Sequence, residues 1–295
     1  MKVFTTIKEI RLHLASFKSD SPGPGFVPTM GALHEGHLSL VKRAVEENAW
    51  AGLSIFVNPI QFNNTSDLDN YPRTLESDLH ILNPVLREND FVFAPPVREM
   101  YPEPVSREYP FGDLGKVMEG RSRPGHFNGV AIVVNRLFRI AEPARAYFGE
   151  KDFQQLAIIR KLVEIEDLPV DIVACPIIRE PDGLAMSSRN VRLTAEHRKA
   201  APAIYRSLYE ARQNASELTI PILKKQIRRR IDSTGLLVTE YVEFADETTL
   251  LPVTAWSDAP RIRCFVAVQA GDVRLIDNTR MKAEGRRQKL VIRNK

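Results

Sequence analysis

Over the first 180 or so residues, short apolar runs alternate with stretches whose apolar residues recur every three or four positions, as strands and amphipathic helices taken in turn do. Ile7, Ile10, Leu14 and Phe17 share one face of a helix predicted near the N-terminus. Residues 25–29 read as a first strand, and 37–48 as a helix with Leu38, Val41 and Val45 turned inward. Residues 53–57 form a buried strand ending at Asn58-Pro59, where proline stops ladder pairing. The polar loop IQFNNTSDLDNYP leads to a helix from about Arg73, and 91–94 is again strand-like. Residues 128–140 are predicted helical, packing through Val130, Val134, Leu137 and Phe138. A short strand at 146–148, the helix QQLAIIRKLVEI and a strand at 170–174 complete the series. This alternation predicts an α/β fold, a Rossmann-like doubly wound parallel sheet with helices on both faces.

After Arg179 the order changes. Helices predicted at 195–214 and 220–233 precede strands at 239–244, 262–268 and 273–276, which points to a second, smaller α+β domain. The expected division is 1–177 and 178–295. No repeat or low-complexity segment interrupts either part.

Composition leaves this picture intact: 43% apolar and 26% charged residues are ordinary for a globular chain. No apolar run reaches membrane-spanning length, and the N-terminal stretch has charges throughout, unlike a secretory signal. Cys175 and Cys264 each lie in an apolar strand-like run, so buried, reduced thiols are expected rather than a disulfide or metal site. A cytoplasmic protein is expected. The net charge of +4 owes much to the tail, where Lys282, Arg286, Arg287, Lys289, Arg293 and Lys295 face only Glu284. No aromatic interleaving accompanies that tail, and nucleic-acid binding is not expected.

In an open parallel sheet, ligands bind beyond the carboxyl ends of the strands. Four unusual polar segments fall at such places: TMGALHEGH, NPIQF, YFGEKDFQQ and REPDGLAMSSRN. His34 and His37 stand one helical turn apart at a helix start, with Gly36 between them. A helix start offers unpaired N–H groups and positive potential to phosphate, and two imidazoles add donors. Lys151 in GEKD can neutralise phosphate charge, and Arg189 in SSRN can bind it bidentately. Gln61, Gln154 and Gln155 are neutral groups suited to orienting a polar substrate. Each segment alone is also what an ordinary strand-to-helix turn contains; their convergence on one sheet edge is what points to a nucleotide triphosphate site.

The motifs PTMGALHEGHLSLV, SIFVNPIQF, DLDNYPRTLESDL, EGRSRPGHFNGV, YFGEKDFQQLAIIRKLV, REPDGLAMSSRNVRLT and RLIDN together resemble the pantothenate synthetases, the pantoate–β-alanine ligases of the HxGH nucleotidyltransferase superfamily. The likeness runs to Asn278; HxGH alone marks only the superfamily, whereas YFGEKDxQQ with SRPGHFxGV is highly specific. It implies a two-step reaction, in which ATP and pantoate give pantoyl-adenylate and pyrophosphate, and β-alanine then displaces AMP. It implies ATP binding by Met30, Gly31, Ala32, Leu33, His34, Glu35, Gly36 and His37, by Gly149, Glu150, Lys151 and Asp152, and by Ile178, Met186, Ser187, Ser188 and Arg189. His34, His37, Lys151 and Arg189 become the catalytic candidates, with His37 at the position usually assigned as proton donor. Gln61 is implied to contact pantoate and β-alanine, and Gln155 pantoate. Mg²⁺ accompanying ATP is implied, with unknown ligands, as is a homodimer. On this reading 1–177 holds nucleotide and pantoate, and 178–295 is a lid or substrate domain with a basic tail.

Two other readings stay open on residues alone. One is an HxGH enzyme that stops at adenylyl transfer to a phosphate-bearing acceptor, which would call for extra Arg or Lys in the second pocket. The other is a non-catalytic nucleotide- or RNA-binding protein using the basic tail. Two departures from the family pattern stand out: Asn63-Asn64-Thr65-Ser66 follows Gln61-Phe62 where glycine and proline are common, and Met186 replaces the commoner leucine.

Overall fold

The computed structural model describes residues 1–17, 23–63 and 65–282. The basic tail beyond Lys282, and Asn64 in the departing loop, lie outside the described residues. The chain forms two compact units. Met1–Ile178 and Met186–Ser188 make the first; Arg179–Ala185 and the chain from Arg189 onward make the second. The expected cut after residue 177 is therefore replaced by three crossings, and Ile178 and Met186–Ser188 stay with the first unit.

Among the described residues, the first unit holds a parallel sheet of β1 (Lys2–Phe4), β2 (Gly25–Thr29), β3 (Ala51–Ile55), β4 (Phe91–Phe93), β5 (Arg145–Gly149) and β6 (Asp171–Cys175). Their spatial order is β1-β4-β3-β2-β5-β6. Fully buried Phe26, Leu53, Phe91, Phe93 and Tyr147 form the sheet's core. The N-terminal helix is shorter than predicted, Ile7–Ala15, because Lys2–Phe4 becomes an edge strand and Phe17 falls just past the helix end. Three residues show no periodicity, so β1 could not be told from the helix that follows.

The chain order reverses between β2 and β5, which is where a doubly wound sheet opens a ligand crevice. β2 and β5 pair only at Gly25↔Arg145 and Phe26↔Ala146, whereas β2–β3 pairing runs on to Thr29↔Ile55 and β5–β6 pairing to Gly149↔Cys175. Pro28 accounts for the early stop. Pro24 O accepts from Ala144 N–H on the β5 side, and Thr29 O accepts from Phe56 N–H on the β3 side. Strand alternation therefore turns residue 28 toward β5, and proline has no N–H to offer there. The two strands part, and the crevice opens between the loops that follow them.

The second unit carries the antiparallel sheet β7 (Leu237–Asp246), β8 (Ile262–Ala270) and β9 (Val273–Lys282), in that order. Helices Ala203–Gln213 and Ile220–Asp232 share its core through Ile204, Leu208, Leu223, Ile227 and Ile231, packed with Phe244, Val266 and Val268. The single helix expected over 195–214 is two, Ala195–Ala200 and Ala203–Gln213. Pro202 stands between them and cannot continue the hydrogen-bond ladder. β9 runs past the predicted end at 276, because pairing with β8 carries polar Asp277, Asn278 and Arg280 that hydropathy alone excludes.

Candidate active site

β2 delivers Met30 to the crevice, and the chain then turns through Gly31 (φ +81°) and Ala32 (φ +50°). Asp78, a buried carboxylate on helix Leu75–Leu82, holds this turn. Its Oδ2 accepts Ala32 N–H at 3.0 Å, and its Oδ1 accepts Leu33 N–H at 2.8 Å. Glycine takes its positive φ freely, but Ala32 in the left-handed region is costly without such support. Sequence reading missed Asp78, although it lies in DLDNYPRTLESDL, six residues after the polar loop ends at Pro72.

The next helix begins at Glu35, two residues earlier than predicted, because the histidines themselves form its cap. His34 Nδ1 accepts Gly36 N–H at 3.1 Å, and His37 Nδ1 accepts His34 N–H at 3.3 Å. The rings sit with centroids 4.1 Å apart. Backbone N–H groups can only donate, so both Nδ1 atoms are unprotonated and each neutral ring carries its hydrogen on Nε2. Burial drives the His34 pKa down to about 4, helped by nearby Lys151 and opposed by Asp152. His37 falls to about 3, through burial first, then His34, with Asp152 again opposing. The pair is therefore two neutral Nε2–H donors at neutral pH. A Cβ on Gly36 would lie 2.8 Å from His34 Cε1, so any side chain there dislodges the cap.

The GEKD turn follows β5. Lys151 Nζ lies 3.4 Å from Asp152 Oδ1, and the charges of both are felt at the histidines, which places this turn beside them. Gly149 has an ordinary φ of −75°, and a Cβ there meets nothing within 4 Å. The fold does not require glycine at this point; open space lies in front of it.

Gln61 stands on the short turn Pro59–Gln61, and its side chain is aimed by a chain of hydrogen bonds. Gly129 O can only accept, so the atom of Asn58 that faces it at 3.0 Å is Nδ2. The same Nδ2 donates to Gln61 Oε1 at 3.1 Å, and Asn58 Oδ1 accepts from Tyr101 Oη at 2.9 Å. Burial holds the Tyr101 hydroxyl protonated far above its usual range, as a donor needs. Gln61 is left presenting Nε2, which lies 2.8 Å from Met30 Sδ, a weak acceptor. The backbone carbonyl of Gln61 accepts from His126 Nδ1 at 2.8 Å, and His126 Nε2 accepts from Arg123. Burial and the Arg123 charge lower His126 to about 4. Asn58, Tyr101, Gly129 and His126 were not identified as site residues from sequence; NPIQF and SRPGHF contain two of them, and Gly129 lies three residues past His126.

The glutamine pair of YFGEKDFQQ divides. Gln154 is buried and holds segment 114–119, accepting Glu119 N–H at 3.0 Å and donating to Leu114 O and Val117 O at 2.8 and 2.9 Å. It is structural, which corrects its selection as a substrate-orienting group. Gln155 has no hydrogen bond from its side chain among the described residues.

Ile178 and Met186–Ser188 belong to the first unit, where Met186 N–H donates to Ile178 O at 3.0 Å. Met186 Cβ lies 3.7 Å from the position a Gly36 Cβ would take, which brings the late segment to the histidine turn. Arg189 belongs to the second unit. Among the described residues, no group of three or more His, Cys, Asp or Glu side chains is arranged to hold a metal.

Acid titration gives a direct check on the buried rings. His13, His34, His37 and His126 all have native pKa values lowered from 6.5 by burial. Below about pH 6.5 the unfolded chain takes up protons that the native state refuses. The stability tied to these residues is thus complete above about 6.5 and falls with pH, until His34 and His126 titrate near 4 and His37 near 3. Urea midpoints should fall between about pH 6.5 and 5, before most carboxylates titrate. A constant midpoint over that window contradicts the burial.

A family model described as pantoate–β-alanine ligase matches residues 2–280. The pantothenate synthetase of Bacteroides thetaiotaomicron is 48% identical over 282 residues, covering 96% of this chain and 99% of its own length. That of Phocaeicola vulgatus is 50% identical over 283 residues, covering 96% and 100%. The crystal structure of pantothenate synthetase from Thermus thermophilus superposes with a TM-score of 0.89 at 43% identity, over 96% of this chain and 100% of that one. A pantoate–β-alanine ligase from Francisella tularensis, complexed with β,γ-ATP and β-alanine, superposes at 0.81 with 37% identity, over 95% and 98%.

Proposed function

The chain belongs to the pantoate–β-alanine ligase family, and on that premise we propose how its own residues carry out the family's reaction. It is an ATP-dependent ligase that condenses pantoate with β-alanine through pantoyl-adenylate. In the first step a pantoate carboxylate oxygen bonds to the α-phosphorus, and the bond to the bridging oxygen breaks, releasing pyrophosphate. In the second the β-alanine amine attacks the acyl carbonyl, loses a proton, and AMP leaves.

The first step brings two anions together, so its barrier is lowered chiefly by neutralising and aligning charge. We assign that task to the Nε2–H groups of His34 and His37 and to Lys151, with the N-terminus of helix Glu35–Glu47 behind them. The carrying observation is the backbone cap, which occupies both Nδ1 atoms and leaves each neutral ring its Nε2–H to donate. His37 then donates a hydrogen bond to a phosphate oxygen and keeps its proton, in place of the proton transfer the motif implied. Met30–Leu33, Gly149–Asp152, Ile178 and Met186–Arg189 complete the nucleotide site, and the empty space before Gly149 leaves room for the nucleotide. Mg²⁺ supplies Lewis-acid neutralisation of the triphosphate when bound. Glu150 and Asp152 are the carboxylates at this turn, and an ion that keeps phosphate and water oxygens needs only one or two of them.

Gln61 offers its Nε2 to pantoate and later to β-alanine, and Gln155 orients pantoate. Mg²⁺ use, a homodimer and a cytoplasmic location complete the proposal. For the location, Cys175 and Cys264 are buried and free, and no described helix is long and apolar enough to cross a membrane.

The test is ATP–pyrophosphate exchange. It should require pantoate, proceed without β-alanine, and show no histidine inflection in kcat/KM for ATP between about pH 6 and 8. Exchange independent of pantoate would favour adenylyl transfer to another acceptor. A loss of activity above about pH 6.5 that His37→Ala abolishes would restore an imidazolium acid.

A further inference from the structure

RLIDN is the one motif of the chain to which adenylate chemistry gives no task. Its Asp277 lies on β9 opposite Val266 of β8, only 4% exposed. Arg179, 98 residues earlier, meets it with a two-pronged contact: Nη1 donates to Oδ2 at 2.6 Å and Nη2 to Oδ1 at 2.9 Å. The same Nη1 donates to Gly183 O at 3.1 Å, and the guanidinium carbon stands 3.8 Å from the centroid of the Tyr205 ring. Lysine has neither the planar fork nor the flat face these contacts use.

Arg179 is also the first residue of a tight hairpin. It bridges Ala185 in antiparallel fashion, Gly183 N–H donates to Glu180 O at 2.9 Å, and Glu180 N–H donates to Leu184 O at 2.8 Å. Gly183 adopts φ +95°, and a Cβ there would lie 2.5 Å from the Tyr205 ring, so the turn is seated against that ring. The two stretches assigned to nucleotide leave from the hairpin's two ends. Ile178 precedes Arg179, Met186–Arg189 follow Ala185, and Met186 N–H donates to Ile178 O at 3.0 Å.

A buried ion pair is weak grounds for stability, since a well-packed apolar pair of similar volume does as well. What the pair provides here is geometry: two parallel bonds and a ring contact leave Arg179 one orientation. We propose that Asp277 is a positioning residue for the nucleotide, acting through Arg179 to seat the hairpin on the C-terminal sheet and so set Ile178 and Met186–Arg189 at the spacing ATP requires. This rests on the assignment of those residues to ATP.

The experiment compares Asp277→Asn, Arg179→Lys, Arg189→Ala and Glu243→Gln in the full chain, measuring kcat, thermal unfolding, and KM for ATP, pantoate and β-alanine. Glu243 pairs with Lys224 at 2.8 Å in the same unit, bonds neither Arg179 nor Asp277, and serves as the control for a lost ion pair. Asp277→Asn and Arg179→Lys should each raise the ATP KM about tenfold, as a small misplacement of binding groups does, with the β-alanine KM unchanged. Arg189→Ala should raise the ATP KM as well, and Glu243→Gln should change unfolding alone. If both clamp variants unfold early with an unaltered ATP KM, raise all three KM values alike, or fail to fold, Asp277 is structural and the proposal is overturned. In that case a raised ATP KM in Arg189→Ala still supports the nucleotide assignment. An unaltered ATP KM in Arg189→Ala removes that assignment and this proposal together.

Discussion

Replacing His37 with alanine is expected to slow pantoyl-adenylate formation by about two to three orders of magnitude, the usual effect of losing a donor aimed at transition-state charge. The proposed mechanism gives the ring two jobs, and they sit on different nitrogens. Nδ1 caps His34 N–H at 3.3 Å, while Nε2–H has no partner in the chain among the described residues. Alanine removes both; asparagine and glutamine separate them. The Asn Oδ1 falls near the place of Nδ1, so His37→Asn should keep the cap and the thermal stability yet be as slow as alanine. His37→Gln extends an amide toward the place of Nε2, and should recover part of the rate with a weakened cap. Single-turnover pyrophosphate release and thermal unfolding read the two jobs independently. Normal release from folded His37→Asn would remove the Nε2–H donor from the mechanism. Lys151→Ala should show a comparable loss of rate, because its fixed positive charge is felt at both rings.

Gly129→Ala should raise the KM for pantoate by about a hundredfold, although residue 129 bears no group that touches substrate. An added Cβ would lie 2.4 Å from Ile60 O and 2.8 Å from Gln61 Cα. Both are backbone atoms of the turn that carries Gln61, so no side-chain rotation relieves the clash. Helix and turn must separate, and the Asn58 bond to Gly129 O at 3.0 Å that gives Gln61 its polarity is stretched or lost. The ATP KM should move much less, since the histidine cap is built on another loop. Steady-state kinetics with pantoate and ATP varied in turn distinguish the two, and an unchanged pantoate KM would show that the Gln61 turn is not what pantoate reads.

The largest elements of the fold were legible because burial leaves periodicity. Residues 128–140 and 25–29 could be read because Val130, Val134, Leu137 and Phe138, or Phe26 and Val27, must face a core. Legibility failed where residues obey local chemistry. Lys2–Phe4 is too short to show a period, and Pro202 divides a helix whose apolar spacing runs straight through it. Asp277 and Asn278 continue a strand that hydropathy ends at 276, because their polar groups are satisfied by Arg179 and Arg263 inside the second unit. At the site the polar motifs stood out because a strand-to-helix turn has no packing need for HEGH or GEKD. Their supports, Asp78, Asn58, Tyr101 and Gly129, look like ordinary loop and helix residues until the partners are in place.

Read alone, the amino-acid sequence determined the α/β class, the family and the reaction, because residue type and spacing along the chain are one-dimensional quantities. Tertiary structure decided which nitrogen of each histidine of the pair holds the proton, which end of the Gln61 amide meets Asn58, and that Gln154 holds segment 114–119. It also decided that β2 and β5 part at Pro28 and that Asp277 answers to a residue 98 positions away. These depend on which donor faces which acceptor across the fold. A hydrogen bond is fixed by the direction and distance of its partner, and neither is set until distant segments have packed together.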